Sequence, residues 1–312
     1  MKVGLDVLGG DFAPDANVLG AIMAQEDLGA RAEIVLIGDQ GEIERLLSEK
    51  GIATDKFEIV HTTENITMHD HPTKAFIKKP NSSIALGFKM LQEGSIEAFS
   101  STGNTGAMLV GSMYTIRTIP GVIRPCITTA LPVMNGGVSI LLDVGINSDC
   151  KADVLYQFGI LGSMMAEQIY NIENPKVGLI NIGEEEEKGN MLTQAAHQLM
   201  KDAQEFNFIG NIEGRDLFSG KADVIVCDGF TGNVILKQAE ALYYLLRKRQ
   251  IQDDYFERFN YEIYGGTPVL GVNGNVIIGH GISNANAVKN MVKLSVDTAE
   301  AKLADRIRKV FK

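Results

Sequence analysis

Five short polar segments, each bearing glycine and each following a run of apolar residues, hold the residue types that grip oxyanions. The first is Gly9-Gly10-Asp11, with Asp6 just ahead of it. Two glycines let the backbone turn sharply and approach a ligand closely, although an ordinary strand-to-helix turn uses the same residues. The second is Ser100-Ser101-Thr102-Gly103-Asn104-Thr105-Gly106-Ala107. If it opens a helix, its N–H groups attract an anion and its hydroxyls add donors. It matches neither a P-loop nor a dinucleotide fingerprint, and its small side chains also suit close packing. The third runs from Asn181 to Asn190 and contains four consecutive glutamates, 184–187. These read as a solvated turn or a helix start. A divalent cation would also accept them, but no His or Asp cluster accompanies them, so no metal and no cofactor is expected. Lys188 and Asn190 are the site candidates there. In the fourth, Asn211 to Asp216, Arg215 either pairs with Glu213 or takes a phosphate or carboxylate in a bidentate grip. The fifth, Asp228-Gly229-Phe230-Thr231-Gly232-Asn233, repeats the logic of the second, with Lys237 one turn onward.

Three weaker candidates lie outside these segments. His280 stands between two glycines, at a strand end. Arg124 precedes Pro125. His69-Asp70-His71 contains metal-ligand types, but neighbours along an extended chain point to opposite sides. No Ser-His-Asp or Cys-His pattern asks to be a nucleophile, and Cys227 sits in a buried-looking run where a thiol is inert.

Elements that would position these loops are legible. Apolar runs of strand type occur at 2–8, 32–38, 57–62, 96–101, 127–133, 138–144, 176–182, 207–212, 222–227 and 275–280. Several are continuous rather than alternating, as in strands buried on both faces. Helical segments are expected at 42–50, 82–92, 153–172, 234–249 and from 284 onward, where Val288, Met291, Val292, Ser295, Val296, Ala299, Leu303, Ile307 and Val310 keep the spacing of one continuous helix. Alternating strands and helices imply a mostly parallel sheet with helices on both faces. Asn135-Gly136-Gly137 between two strand runs predicts an antiparallel hairpin. No linker or repeat stands out, so residues 1–312 read as one α/β domain, with two lobes flanking a cleft.

The bulk properties exclude several classes. A net charge of −10 argues against nucleic acid as a partner, and an acidic protein would be repelled too, except at a local basic patch. Three cysteines without paired spacing fit a reducing compartment, not a disulfide framework. The opening MKVGLDVLGGD reads as a strand rather than a signal peptide, and no apolar stretch approaches the ~20 residues that span a bilayer.

Taken in order, the stretches LDVLGGDFAPD, MHDHPTKAFIKKPNSSI, STGNTGAM, GGVSILLDVGIN, GLINIGEEEEKGN, GNIEGRD, DVIVCDGFTGNVILKQAE, YGGTPVLGVNG and VIIGHGISN resemble one family, the acyl-acyl-carrier-protein:phosphate acyltransferases of bacterial phospholipid synthesis. They reach from residue 5 to residue 284. The resemblance implies a three-layer α/β/α Rossmann-like fold, similar to isopropylmalate dehydrogenases and phosphate acetyltransferases. It implies an enzyme that makes acyl phosphate from acyl carrier protein thioester and inorganic phosphate. It also implies a homodimer in the cytoplasm, brought to the inner face of the membrane through a glycerol-3-phosphate acyltransferase that takes the product. Two departures stand out. Phe12 occupies the place where the family usually has histidine. The stretch 241–264 is shorter than the amphipathic segment of relatives, and Arg247-Lys248-Arg249 and Asp253-Asp254 interrupt its apolar face.

The reaction requires phosphate held beside a thioester carbonyl, donors for the oxyanion, and departure of a thiol whose pKa near roughly 8.5 makes a strong general acid unnecessary. Phosphate is expected on Ser101–Gly106 and on Thr231–Asn233, with Lys188 supplying charge and Asn190, Asn233 or His280 meeting the oxyanion. Asp6, Gly9, Gly10, Gly103, Asn104, Thr105, Arg124, Arg215, Asp228 and Gly232 complete the substrate-binding set. Docking of an acidic carrier should use Lys78-Lys79 or Arg247–Arg249. Two other classes stay open: a metal- and nicotinamide-dependent hydroxyacid dehydrogenase, and a non-catalytic regulator that binds an acyl carrier or phosphometabolite.

Overall fold

A computed structural model describes residues 1–311. In chain order the elements are β1 (Lys2–Asp6), α1 (Asp15–Leu28), β2 (Glu33–Gly38), α2 (Gln40–Glu49), β3 (Glu58–His61), α3 (Pro72–Lys78), α4 (Ser83–Glu93), β4 (Ala98–Ser101), α5 (Thr105–Gly111), which a π-type turn extends over Ser112–Ile116, then β5 (Cys126–Pro132), β6 (Val138–Leu142), α6 (Ala152–Tyr170), β7 (Lys176–Ile180), α7 (Met191–Met200), β8 (Asn207–Ile212), β9 (Val224–Val226), α8 (Gly229–Lys248), α9 (Asp254–Glu257), β10 (Thr267–Leu270), β11 (Asn275–Ile278), α10 (Ala285–Glu300) and α11 (Leu303–Val310).

The chain divides into two compact units. The first comprises Met1–Thr118 and Tyr261–Ala304. Its strands run in the order β3-β2-β1-β4-β11-β10, parallel throughout except for the β10–β11 pair. The second comprises Ile119–Asn260 and the chain from Asp305. Its order is β5-β6-β9-β7-β8, parallel except for β5–β6. The mostly parallel α/β architecture follows the sequence reading, and so does the hairpin. Thr128 pairs with Leu142 and Pro132 with Val138, around Gly136 and Gly137 at φ 89° and 75°. Strand β10 was not expected. Its Thr-Pro-Val-Leu is short, lies between glycines and contains a proline, which cannot donate to a ladder and so argues against a strand.

Central strands are buried nearly end to end, as the continuous apolar runs anticipated: Leu36, Phe99, Leu141, Val177 and Ile225 are at most 1% exposed. The long C-terminal helical pattern is interrupted. Helix α10 stops at Glu300, and Lys302 takes a left-handed φ of 51° before α11 begins.

Helix starts matter most for the site. Asn104, Asn190, Asp228 and Asn284 each sit at an N-cap, and each side chain accepts the N–H three residues on. Such a cap satisfies one of the donors that a helix start leaves without an internal acceptor. The second, third and fifth of the polar-glycine segments therefore fold as strand, bend, cap and helix.

In the second unit, residues 249–260 lie against the hairpin. Phe259 makes edge-on contacts with Phe218 and Tyr255, with centroids 5.2 and 5.4 Å apart. Tyr255 Oη donates to the Pro132 carbonyl, and Arg258 donates to those of Val133 and Gly137. No described helix is long and apolar enough to cross a membrane.

Candidate functional site

In the first unit, the bends after β1 and β4 are laced together around one buried carboxylate. Asp6 is inaccessible to solvent. Its Oδ1 accepts the Leu8 N–H at 3.0 Å and its Oδ2 accepts the Ser101 hydroxyl at 2.6 Å. Burial pushes this carboxyl above the usual carboxylate range, opposed by the hydroxyls of Ser101 and Ser83 and the backbone of Leu8 and Gly9. Ser101 Oγ accepts in turn from the Gly103 N–H at 2.9 Å. Thr102 Oγ1 donates to the Gly9 carbonyl at 2.9 Å, and buried Asn17 donates to the carbonyls of Val7 and Gly9. Gly9 is required by this closeness: a Cβ there would lie 2.5 Å from Asp6 Oδ2 and 2.6 Å from Gly103 N. Gly10, at φ 99°, turns the chain so that Asp11 N–H reaches the Gly281 carbonyl at 2.7 Å.

Polar groups of this loop thus work internally. Asp6, Ser101, Gly103 and Asn104 are buried and engaged, and Asn104 also donates to the carbonyls of Thr67 and Asp70. Thr105 is exposed and Gly106 half-buried, with Pro72 packed against it. His280 is half-buried with its ring 4.9 Å from that of Tyr261.

The second unit repeats the device. Asp143, also inaccessible, directly follows β6. Its Oδ1 accepts from Ile127 N–H at 3.1 Å. Its Oδ2 accepts from the N–H groups of Asn147 and Ile146 at 2.6 and 3.1 Å and from Asn147 Nδ2 at 3.0 Å. The Asn147 carbonyl takes the Gly229 N–H at 2.7 Å, which fixes the first residue of α8. Gly232 lies so near this bend that a Cβ would sit 2.0 Å from the Asp143 carbonyl oxygen. Asn233 Nδ2 reaches the Val144 carbonyl at 3.2 Å.

A cavity of about 460 Å³ opens beside these bends. Asn181, Asn190, Thr193, Asp228 and Thr231 give it a polar wall; Leu155, Leu179, Ile180, Ile182 and Cys227 give it an apolar one. The starts of α7 and α8 both border it. Asp228 is held by its own helix, accepting from Thr231 N–H and Oγ1 at 2.9 and 2.8 Å. Asn190 Oδ1 accepts from Thr193 N–H. Asn181 Nδ2 donates to the Lys188 carbonyl at 3.1 Å and so ties down the loop that carries that lysine. Lys188 is exposed, and its stem crosses Gly183. It has no ion-pair partner among the described residues.

Of the other sequence candidates, Arg124 is exposed and donates to the Asp149 carbonyl. It stands near Cys150, whose thiol burial and the charges of Asp143 and Asp228 push up to about 12, Arg124 opposing. Arg215 lies in a surface ion network with Glu213 and Glu184, the latter also held by Lys221. Glu186 approaches Lys201. The described residues hold no cluster of three or more His, Cys, Asp or Glu fit for a metal.

The model of the fatty acid synthesis protein family matches residues 1–306. The chain belongs to this family. Among similar curated proteins is the phosphate acyltransferase of Dictyoglomus turgidum, 42% identical over 314 residues, covering 95% of this chain and 93% of that protein. Another is that of Desulforamulus reducens, 42% identical over 326 residues, covering 99% and 96%. Among solved structures, a phosphotransacetylase from Streptococcus pyogenes shares the fold at a TM-score of 0.67 and 18% identity, covering 96% of this chain and 94% of that one. A 4-hydroxythreonine-4-phosphate dehydrogenase from Klebsiella pneumoniae does so at 0.57 and 11%, covering 96% and 98%. These structures bear on fold alone and agree with the Rossmann-like expectation.

In this family member, the second-unit cavity brings together Asn190, Asp228 and Thr231 from the sequence set. It adds Asn181 and Thr193, which spacing alone did not single out. Asp143 and Asn147 were also missed. One signal was present: Leu-Asp-Val occurs at 5–7 and again at 142–144, and the first copy had already drawn attention to Asp6.

Proposed function

We propose that the chain is a phosphate acyltransferase acting on acyl carrier protein thioesters. An oxygen of inorganic phosphate attacks the thioester carbonyl carbon, the C–S bond breaks, and acyl phosphate and carrier thiol leave, the proton of the hydrogen phosphate passing to the departing thiolate. The observation that carries this reading is the shared cavity at the starts of α7 and α8. Two helix starts present N–H groups and the positive ends of their dipoles to one space, which favours an anion. The apolar wall beside them suits the first carbons of an acyl chain. Asn190 Nδ2 and Lys188 are assigned to the anion and the developing oxyanion. Asp228 and Asn181 hold the two bends, and Gly232 lets α8 approach. In the first unit, Thr105, Gly106 and His280 stay assigned to substrate contact, and Asp6, Ser101 and Gly103 to the shape of the loop.

Incubation with acyl carrier thioester should release thiol only when phosphate is present, and hydroxylamine should trap the acyl product. Lys188→Ala should raise the KM for phosphate by about tenfold, the weight of one lost charge-assisted contact. Thiol release without phosphate, or no hydroxamate, refutes the reading.

We further assign the enzyme to the cytoplasm as a homodimer that hands acyl phosphate to a membrane glycerol-3-phosphate acyltransferase. The family resemblance supports this, and so does the run of exposed apolar residues on α8, Phe230, Val234, Tyr244 and Leu245. Sedimentation of the wild type against Tyr244→Glu/Leu245→Glu tests the dimer; a monomeric wild type refutes it.

A further inference from the structure

Acidic residues are unevenly spread. The chain has 39 Asp and Glu in 312 residues, yet none in 71–92 or 98–118. The same stretches hold Lys74, Lys78, Lys79, Lys89 and Arg117. They build α3, α4 and α5 with its π-type extension, which pack on one another in the first unit. Pro72 lies against Gly106, the rings of Phe76 and Phe88 are 6.1 Å apart, and Gln92 donates to the Thr115 carbonyl at 2.9 Å. Two of the cations are engaged: Lys79 bonds Asp70 and the Asn65 carbonyl, and Lys89 lies 4.0 Å from Glu93. Lys74, Lys78 and Arg117 are exposed, with no ion-pair partner among the described residues. Exposed apolar side chains accompany them: Ile77 at 71%, Tyr114 at 69% and Met113 at 47%.

The other basic cluster lacks this character. Arg247 pairs with Glu257 at 3.1 Å, and Asp253 and Asp254 follow closely in the chain.

We propose that the acid-poor helical layer α3–α5 docks the carrier half of the substrate, a small acidic protein. This rests on the reading above. A chain of net charge −10 repels an acidic partner generally, so productive encounters are confined to a face where exposed cations outnumber carboxylates. With a Debye length of about 8 Å at physiological salt, such a local patch governs the final approach despite the overall charge. Ile77 and Tyr114 supply the apolar contacts that hold the complex once formed.

The test compares Lys74→Glu/Lys78→Glu/Arg117→Glu with a control, Lys56→Glu/Lys309→Glu, that adds negative charge elsewhere. Affinity for purified acyl carrier protein is read by anisotropy at low and high salt. Thiol release is read on the carrier thioester and on a short N-acetylcysteamine thioester that lacks the protein. The triple variant should lose at least about tenfold in carrier affinity and in kcat/KM on the carrier thioester, with a flattened salt dependence. Its rate on the small thioester should stay within about twofold, and the control should bind carrier within about twofold of wild type. Lys78→Glu alone, expected to lose about threefold in carrier affinity, serves if the triple variant misfolds. Unchanged carrier binding, or an equal loss on both substrates, overturns the docking face. A wild type that binds carrier through this face but makes no acyl phosphate refutes the proposed reaction and leaves the docking face standing.

Discussion

Replacing Asp143 with asparagine changes one atom of a carboxylate that accepts four hydrogen bonds without any access to solvent. The amide oxygen can keep only one side of this arrangement. If it stays with Asn147 and Ile146, the new NH2 faces the Ile127 N–H, and two donors meet where an acceptor stood. A buried bond to a charged group is worth about 1.5–3 kcal/mol, and an unsatisfied buried donor costs about 1–3 kcal/mol. Partial relaxation places the loss near 2–4 kcal/mol, a large share of the roughly 5–15 kcal/mol that holds a typical domain together. Urea unfolding monitored by circular dichroism should show the midpoint falling with little change in slope. The same variant should raise the KM for phosphate, because the Asn147 carbonyl that fixes Gly229 at the start of α8 belongs to this bend. A loss below about 1 kcal/mol, or an unaltered phosphate KM in a destabilised protein, would refute the view that this carboxylate builds the bend.

Gly232→Ala should cost about 3 kcal/mol or more and abolish turnover, since its Cβ would meet the Asp143 carbonyl at 2.0 Å; a soluble, active variant contradicts the packing. The folded-state pKa of Asp6 is raised, so its contribution is fully present below the unfolded value and is lost as pH rises through the folded one. Wild type should therefore lose stability relative to Asp6→Asn as pH increases from about 4 upward, read by urea midpoints across pH, and parallel profiles would contradict this. Cys126 and Cys227 are buried with thiols pushed well up, and Cys150 is pushed up to about 12, so the native protein should react with an aromatic disulfide reagent at pH 8 only on unfolding.

The sequence exposed the architecture where periodicity is strong. Continuous apolar runs became buried parallel strands, and Asn135-Gly136-Gly137 became a hairpin. It concealed β10, because Pro268 and the flanking glycines obscure a short antiparallel strand. It drew attention to loops whose polar atoms are in part engaged within the fold. Ser101, Asn104 and Asp228 look like ligand donors in one dimension, but in three they cap helices or brace neighbouring bends. Nothing in spacing distinguishes a hydroxyl aimed at substrate from one aimed at a buried carboxylate 95 positions away, as Ser101 is at Asp6. Asn181 and Thr193 entered the cavity wall through folding of the glutamate loop, which has no periodic signature.

The aromatic knot formed by Phe218, Tyr255 and Phe259 bears on how such an enzyme would meet a lipid surface. Edge-on ring pairs contribute about 0.5–1.5 kcal/mol each beyond their burial. Peeling residues 249–260 away to insert their rings among acyl tails would forfeit those pairs and strip the carbonyls of Pro132 and Val133 of their donors. The Tyr255 and Phe259 rings are therefore not idle anchors awaiting a bilayer; they are already employed in pinning the hairpin.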